Sequence, residues 1–296
     1  MRPFSRNLMR QVHIQRFASP AEGLKSAVTL NNGVRMPWLG LGVFQMPTDA
    51  STASAVRSAI ELGYRSIDTA ALYRNERGVG QGVRDCGVPR SEIFITTKVW
   101  NDDMRAGRVE AAFEQSMKLL GLDYVDLYLL HWPIKGKLVS SWRVLEKLHR
   151  SGRIRAIGVS NYMIPHLDEL LAEAEIVPAV NQVEYHPYLQ SKPLAEDCRR
   201  RGIQLEAWSP LQQAGSLLAD PVLARIAERH GKTVAQVVLR WDLQSGVVTI
   251  PKSVRPERMA ENAAVFDFAL SDREMTAIAA LDQNARNGAD PFNFSF

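Results

Sequence analysis

Cysteine is almost absent from this chain: there are two in 296 residues, Cys86 and Cys198, with no paired spacing. So few thiols exclude a disulfide framework and show no metal-ligand pattern, and their scarcity favours a reducing compartment. Long apolar runs are missing as well, and no stretch approaches the ~18 residues of a membrane-spanning helix. The net charge of +4 contains no basic block interleaved with aromatic residues, so a nucleic-acid partner is not indicated. An anionic small molecule suits such a balance equally well. Also lacking is a glycine-rich phosphate loop after the first strand-like run. The nearest match, Gly78-Val79-Gly80-Gln81-Gly82, has the wrong spacing and falls in a helical segment after the second run, so it reads as close helix packing.

Acidic residues are missing from Met1–Ser19, which carries Arg2, Arg6, Arg10 and Arg16 and resembles an organellar transit peptide. A leader without structure, or initiation at Met9, accounts for the same residues. The expected organisation is a leader over residues 1–26 and a single domain over residues 27–296, in a cytoplasmic protein, with an organelle as the alternative.

The rest of the chain alternates. Short apolar, β-branched runs occur at Leu39–Gly42, Ser66–Ala70, Phe94–Val99, Val125–Trp132, Ala156–Asn161, Val180–His186, Gln204–Pro210 and Val247–Ser253. Each is followed by a segment of helical period, such as Ala53–Leu62 or Arg108–Leu120. Gly63, Gly87, Gly121, Gly152 and Gly202 stand where helices should end. Eight βα repeats predict a (β/α)8 TIM barrel, with a doubly wound open sheet as the runner-up. Within Ala27–Met36 the Asn32-Gly33 pair predicts a two-residue hairpin capping the bottom of the barrel.

Barrel enzymes carry their chemistry at the C-terminal ends of the strands. Here three successive runs end in Asp68, Lys98 and His131, with Tyr73 in the loop after Asp68. Any one of these alone reads as a helix cap, a solvated cation or a rim residue. Their coincidence on adjacent strands, about 4.8 Å apart, reads as one site.

The runs GYRSIDTAALYRNE, TTKVWN, LDYVDLYLLHWP, IGVSNY, VNQVEYHP, AWSPL and IPKSVRPERMAEN resemble the signatures of the aldo-keto reductases from about Val28 onwards. The loop pattern is most similar to the small microbial members that reduce glyoxal-type aldehydes or diketo-gluconates. The resemblance implies an enzyme that uses NADP(H) to reduce aldehydes and small ketones, monomeric and needing only a small-molecule carbonyl partner. It implies a catalytic tetrad of Asp68, Tyr73, Lys98 and His131. Tyr73 would be the acid, its pKa lowered from near 10 by the Lys98 ammonium, with Asp68 holding Lys98 and His131 polarising the carbonyl.

By the same resemblance Ser160, Asn161 and Gln182 meet the nicotinamide carboxamide. Trp208, followed by Ser209 and Leu211, stacks on the ring in place of the tyrosine many members have. Lys252, Ser253 and Arg258 meet the adenosine 2′-phosphate, with Glu261 and Asn262 at the adenine. Phe44, Trp100, Trp132 and His131 form the substrate wall. Arg286 and the tail phenylalanines either touch substrate or belong to a loose tail. The alternative function is a non-catalytic NADPH-binding regulatory subunit.

Overall fold

A computed structural model describes residues 23–296. Expectations for the leader therefore lie outside the described residues, except at residues 23–26, where Ser26 N–H donates to the Gly23 carbonyl at 2.9 Å in a turn. A two-stranded antiparallel ribbon comes first, β1 (Ala27–Thr29) with β2 (Arg35–Pro37). Eight parallel strands follow: β3 (Leu41–Gly42), β4 (Ser66–Asp68), β5 (Phe94–Val99), β6 (Val125–Leu130), β7 (Ile154–Ser160), β8 (Val180–Glu184), β9 (Gln204–Trp208) and β10 (Val248–Thr249). They are hydrogen-bonded in sequence order. The ring closes where Gly40 N–H donates to the Thr249 carbonyl at 3.0 Å and Thr249 N–H to the Trp38 carbonyl at 3.1 Å. The sheet therefore has no free edge, and the barrel, not the open sheet, is the architecture. Each βα connection carries a helix, so both faces are covered; β5 and β6 are buried at every position.

Several strands stop short of their sequence-predicted ends, for local reasons. Past β10, Pro251 has no N–H to continue the ladder. Past β9, Ser209 adopts φ +50° and turns the chain away. The hairpin also differs in detail. Its register pairs Thr29 with Arg35, and Leu30 N–H donates to the Val34 carbonyl at 2.8 Å, so the loop is Asn31-Asn32-Gly33, three residues instead of two. Gly33 alone has positive φ (+84°), which matches a type I turn with a glycine bulge; a two-residue turn would need Asn32 there as well. The loop does cap the bottom of the barrel. Asn31 and Asn32 donate to the carbonyls of Pro178 (3.0 Å) and Arg155 (2.9 Å), at the N-terminal ends of β8 and β7. Nearby, the buried Asp126 stitches β5 to β7 by accepting from the Ile95 N–H at 2.9 Å and from Arg155 at 2.7 Å.

The five predicted helix-ending glycines all have positive φ, from +62° to +102°. The three glycines of Gly78–Gly82 lie buried in the helix Glu76–Asp85, between the helix Asp49–Glu61 and the end of the helix Val109–Leu120. A Cβ on Gly80 would sit 1.8 Å from the Leu120 carbonyl oxygen, and one on Gly78 2.5 Å from that of Asp49. In an open helix, glycine to alanine gains about 1 kcal/mol. Here the backbone contact reverses the sign: Gly80→Ala is expected to cost about 2 kcal/mol or more. Urea unfolding checks this, and a stabilised variant would show that the helices separate freely. Cys86 and Cys198 are both free thiols.

Candidate active site

Asp68 ends β4, and the chain then makes one 3-10 turn, Ala71–Tyr73, closed by Arg74 in the left-handed region (φ +56°). Asn75 ties this turn down: it accepts from the Thr69 hydroxyl at 2.8 Å and donates to the Val43 carbonyl at 2.9 Å. Tyr73 is thereby aimed at the barrel axis. Lys98, on β5, is fully buried at 0% exposure. Its ammonium donates to Asp68 Oδ1 at 2.5 Å, to the Thr69 carbonyl at 2.9 Å and to Tyr73 Oη at 3.4 Å, so each of its three hydrogens has a partner. His131 stands just past β6, edge-on to the rings of Tyr73 (centroids 5.9 Å apart) and Trp100 (5.1 Å).

Burial and charge act in opposite directions here. Burial disfavours a charged Lys98, but Asp68 and Tyr73 outweigh it, so the ammonium holds its proton more tightly than usual. Burial also holds the Tyr73 phenol above its ordinary value, and the pull of Lys98 only partly offsets it. This differs from the expected net lowering, because burial outweighs the pull of Lys98 and the Asp68 carboxylate offsets part of that pull. Burial, with the nearby Lys98, drives His131 well below the usual imidazole value, so the ring is neutral.

Across the barrel from Asp68, Gln182 on β8 donates through Nε2 to Asp68 Oδ2 at 2.7 Å and to Glu206 Oε2 at 2.8 Å. With both amide hydrogens used, its oxygen is left to accept. Ser160 donates to the Gln182 carbonyl at 2.8 Å, and Asn161 donates to the His131 carbonyl at 3.0 Å. The Trp208 indole N–H donates to Asn161 Oδ1 at 2.9 Å. A Cβ on Gly288 would come within 2.4 Å of the far edge of Trp208. The ring is therefore fixed at two points, with a face toward a cavity.

That cavity, about 1150 Å³, is lined by every catalytic, cofactor and substrate-wall residue that the resemblance implies except Lys98, which lies behind Asp68 and Tyr73. Lys252, Arg255 and Arg258 line its β10 side, and none has an ion-pair partner among the described residues. Phe44, Trp100 and Trp132 line the β3–β6 side. The C-terminal tail completes this wall: Phe296 stacks on Trp100 (5.7 Å, 14°) and Phe294 tilts against Trp132 (4.9 Å). Arg286 stays outside, with its guanidinium on Met163 Sδ at 3.7 Å.

Of the tail phenylalanines left open by the sequence, Phe296 lines the cavity. Sequence reasoning missed three contributors. Arg255 could not be told from a solvated neighbour. Glu184, on β8, holds that tail by accepting from the N–H groups of Asn287 (2.6 Å) and Gly288 (3.0 Å). Glu206, directly across from Gln182 in the β8–β9 register, is fully buried. An inward carboxylate mid-strand in Gln204–Trp208 was the available signal for it.

The model of the aldo/keto reductase family matches residues 38–283. The chain belongs to the aldo/keto reductase family. It is accordingly an NADP(H)-dependent oxidoreductase. It is 57% identical to glyoxal reductase of Bacillus subtilis over 273 residues, covering 92% of this chain and 99% of that protein. Methylglyoxal reductase DkgA of Escherichia coli is 46% identical over 272 residues, covering 91% and 98%. Among solved structures, Gox0644 D53A in complex with NADPH superposes with a TM-score of 0.87 at 44% identity, covering 92% of this chain and 99% of that one.

Proposed function

We propose that this reductase converts small, uncharged aldehydes and ketones to alcohols with NADPH, and that Tyr73 supplies the proton. One observation carries the reading. The Tyr73 hydroxyl lies against a buried Lys98–Asp68 pair and faces a cavity whose β10 side holds three cations with no ion-pair partner among the described residues. These groups fit the cofactor. Lys252, Arg255 and Arg258 offer charge to phosphate, the anchored Trp208 offers a flat face, and the free Gln182 oxygen accepts from a carboxamide. The cofactor, when bound, supplies the hydride.

The protein's own work is to orient the carbonyl and deliver the proton. Neutral His131 donates a hydrogen bond to the carbonyl oxygen, which stabilises the charge that develops there. As the carbonyl carbon gains hydride, its oxygen becomes an alkoxide and takes the Tyr73 proton. An alkoxide is a far stronger base than a phenolate, so the transfer runs downhill even from a buried phenol. Lys98 stabilises the tyrosinate left behind, and Asp68 keeps Lys98 charged and in place. All these groups come from one chain, which supports activity as a monomer.

The aromatic wall of Phe44, Trp100, Trp132 and Phe296 supports uncharged 2-oxoaldehydes and aryl aldehydes over diketo-sugar acids. The cations lining the cavity all follow β10, Lys252 and Arg255 in the loop and Arg258 in the helix Pro256–Ala263, away from that wall. The test is NADPH consumption with methylglyoxal, 4-nitrobenzaldehyde and a diketo-gluconate. Binding of NADPH without turnover across the panel would favour the regulatory reading, and no binding would overturn both. A second test concerns the phosphate. Arg258→Met is expected to raise KM for NADPH about tenfold and leave that for NADH nearly unchanged. Equal effects on the two would count against contact with the 2′-phosphate.

A further inference from the structure

Inside the barrel, four polar side chains form one line: Lys98 on β5, Asp68 on β4, Gln182 on β8 and Glu206 on β9. Lys98 donates to Asp68 at 2.5 Å, and Gln182 joins Asp68 (2.7 Å) to Glu206 (2.8 Å) through the two hydrogens of one amide. The line contains two carboxyl groups and one cation. Asp68 holds that cation directly, while Glu206 touches only an amide. Its Oε1 is buried with no hydrogen-bond partner among the described residues. A second buried carboxylate with no counter-ion would cost several kcal/mol, so Glu206 takes a proton instead.

We propose that Glu206 is a positioning residue: it stores a proton inside the barrel beneath Tyr73, and its charge sets the pH at which the site passes from carbonyl reduction to alcohol oxidation.

The surroundings of Glu206 leave few other groups to share this role. From β4 and β5 it faces Asp68 and Lys98, from the turn after β4 Tyr73, and from β8 Gln182. Its β10 neighbour in register, Val248, carries no charge. The charged groups of the helix Lys192–Arg200 lie behind the outward residues Leu205 and Ala207, on the other face of β9. Asp242 is bonded to Thr249, whose register partner is the outward Ala207, and so it too lies outside the wall.

Burial, then the nearby Asp68, pushes the Glu206 carboxyl up to about 8. Below that pH the cluster of Lys98, Asp68 and Glu206 is neutral overall. Above it a second negative charge appears, and an anionic Glu206 makes the Tyr73 phenol harder to ionise. Tyr73 then keeps its proton to higher pH, which extends reduction and delays oxidation, since oxidation needs the tyrosinate. The Gln182 bridge has a second effect. With both its hydrogens committed to carboxyl groups, the amide presents its oxygen to the cavity.

This inference rests on Tyr73 being the proton donor, and the experiment separates the two claims. The pH dependence of kcat is measured in both directions, with 4-nitrobenzaldehyde and NADPH and with the corresponding alcohol and NADP+. The proteins compared are wild type, Glu206→Gln and, as a volume-filling apolar variant, Glu206→Leu. In both variants the oxidation limb is expected to rise, and the reduction limb to fall, about half a pH unit or more below wild type. Unchanged limbs in a folded variant would overturn the role of Glu206. In the unaltered enzyme, infrared absorption of a protonated buried carboxyl is expected at pH 7, and its complete absence would overturn the proposal without any variant. Full activity in Tyr73→Phe would instead overturn the underlying reading.

Discussion

Tyr73→Phe is expected to lower kcat for carbonyl reduction by about 10²–10⁴-fold, the range a positioned general acid contributes. KM for NADPH should stay within about twofold, because the phenol lies on the β4 side of the cavity and the phosphate cations on the β10 side. The fold should persist. The hydroxyl accepts one long hydrogen bond, 3.4 Å from Lys98, and the ring keeps its contacts with Phe44 (4.9 Å) and His131 (5.9 Å). Single-turnover rates at saturating NADPH are the decisive measurement. A loss confined to KM would assign Tyr73 to binding and return the proton to water or His131. Neutral His131 is a poor rival: as an imidazole held far below its ordinary value it carries no spare proton near neutral pH.

Lys98→Met separates stability from catalysis. Removing the ammonium leaves Asp68 buried with only the Gln182 amide, and breaking a buried pair on one side costs about 3–5 kcal/mol. Protonation of Asp68 limits the loss, because burial already holds its carboxyl above the ordinary range. Activity should fall about 10²-fold or more, since among the described residues Lys98 alone favours a tyrosinate at Tyr73. The double variant Lys98→Met/Asp68→Leu is expected to regain most of the lost stability, as apolar replacement of a buried pair is often neutral. It should regain no activity. Urea unfolding and kcat on the same three proteins check this, and recovery of activity in the double variant would place the catalytic charge elsewhere.

Much of the site was legible because barrels put chemistry at strand ends, and strand ends can be found by period. Asp68, Lys98 and His131 needed no tertiary knowledge beyond strand adjacency, since β4, β5 and β6 are consecutive both in the chain and in the sheet. Tyr73 is local to Asp68. The basic segment after β10 was visible, but the resemblance singled out Lys252 and Arg258 and passed over Arg255, which also lines the cavity. The hairpin shows the limit of a dipeptide signal. Asn32-Gly33 marks a turn, but the pairing of Thr29 with Arg35 decides that the loop has three residues.

The chain by itself determined the barrel and the strand-end polar residues that meet at its rim, because alternation, helix-ending glycines and strand-end polar groups are all short-range features. Only the closed structure decided what meets across the axis. β4 and β8 lie four strands apart in a ring of eight, so Asp68 and Gln182 face each other only once the sheet has closed. That closure spends the Gln182 amide hydrogens on two carboxyls, gives Glu206 a neighbour but no counter-ion, and raises the Tyr73 phenol where a single lysine beside it would have lowered it. The net balance of burial and charge at Tyr73 is a property of the whole interior, and no local stretch of residues encodes it.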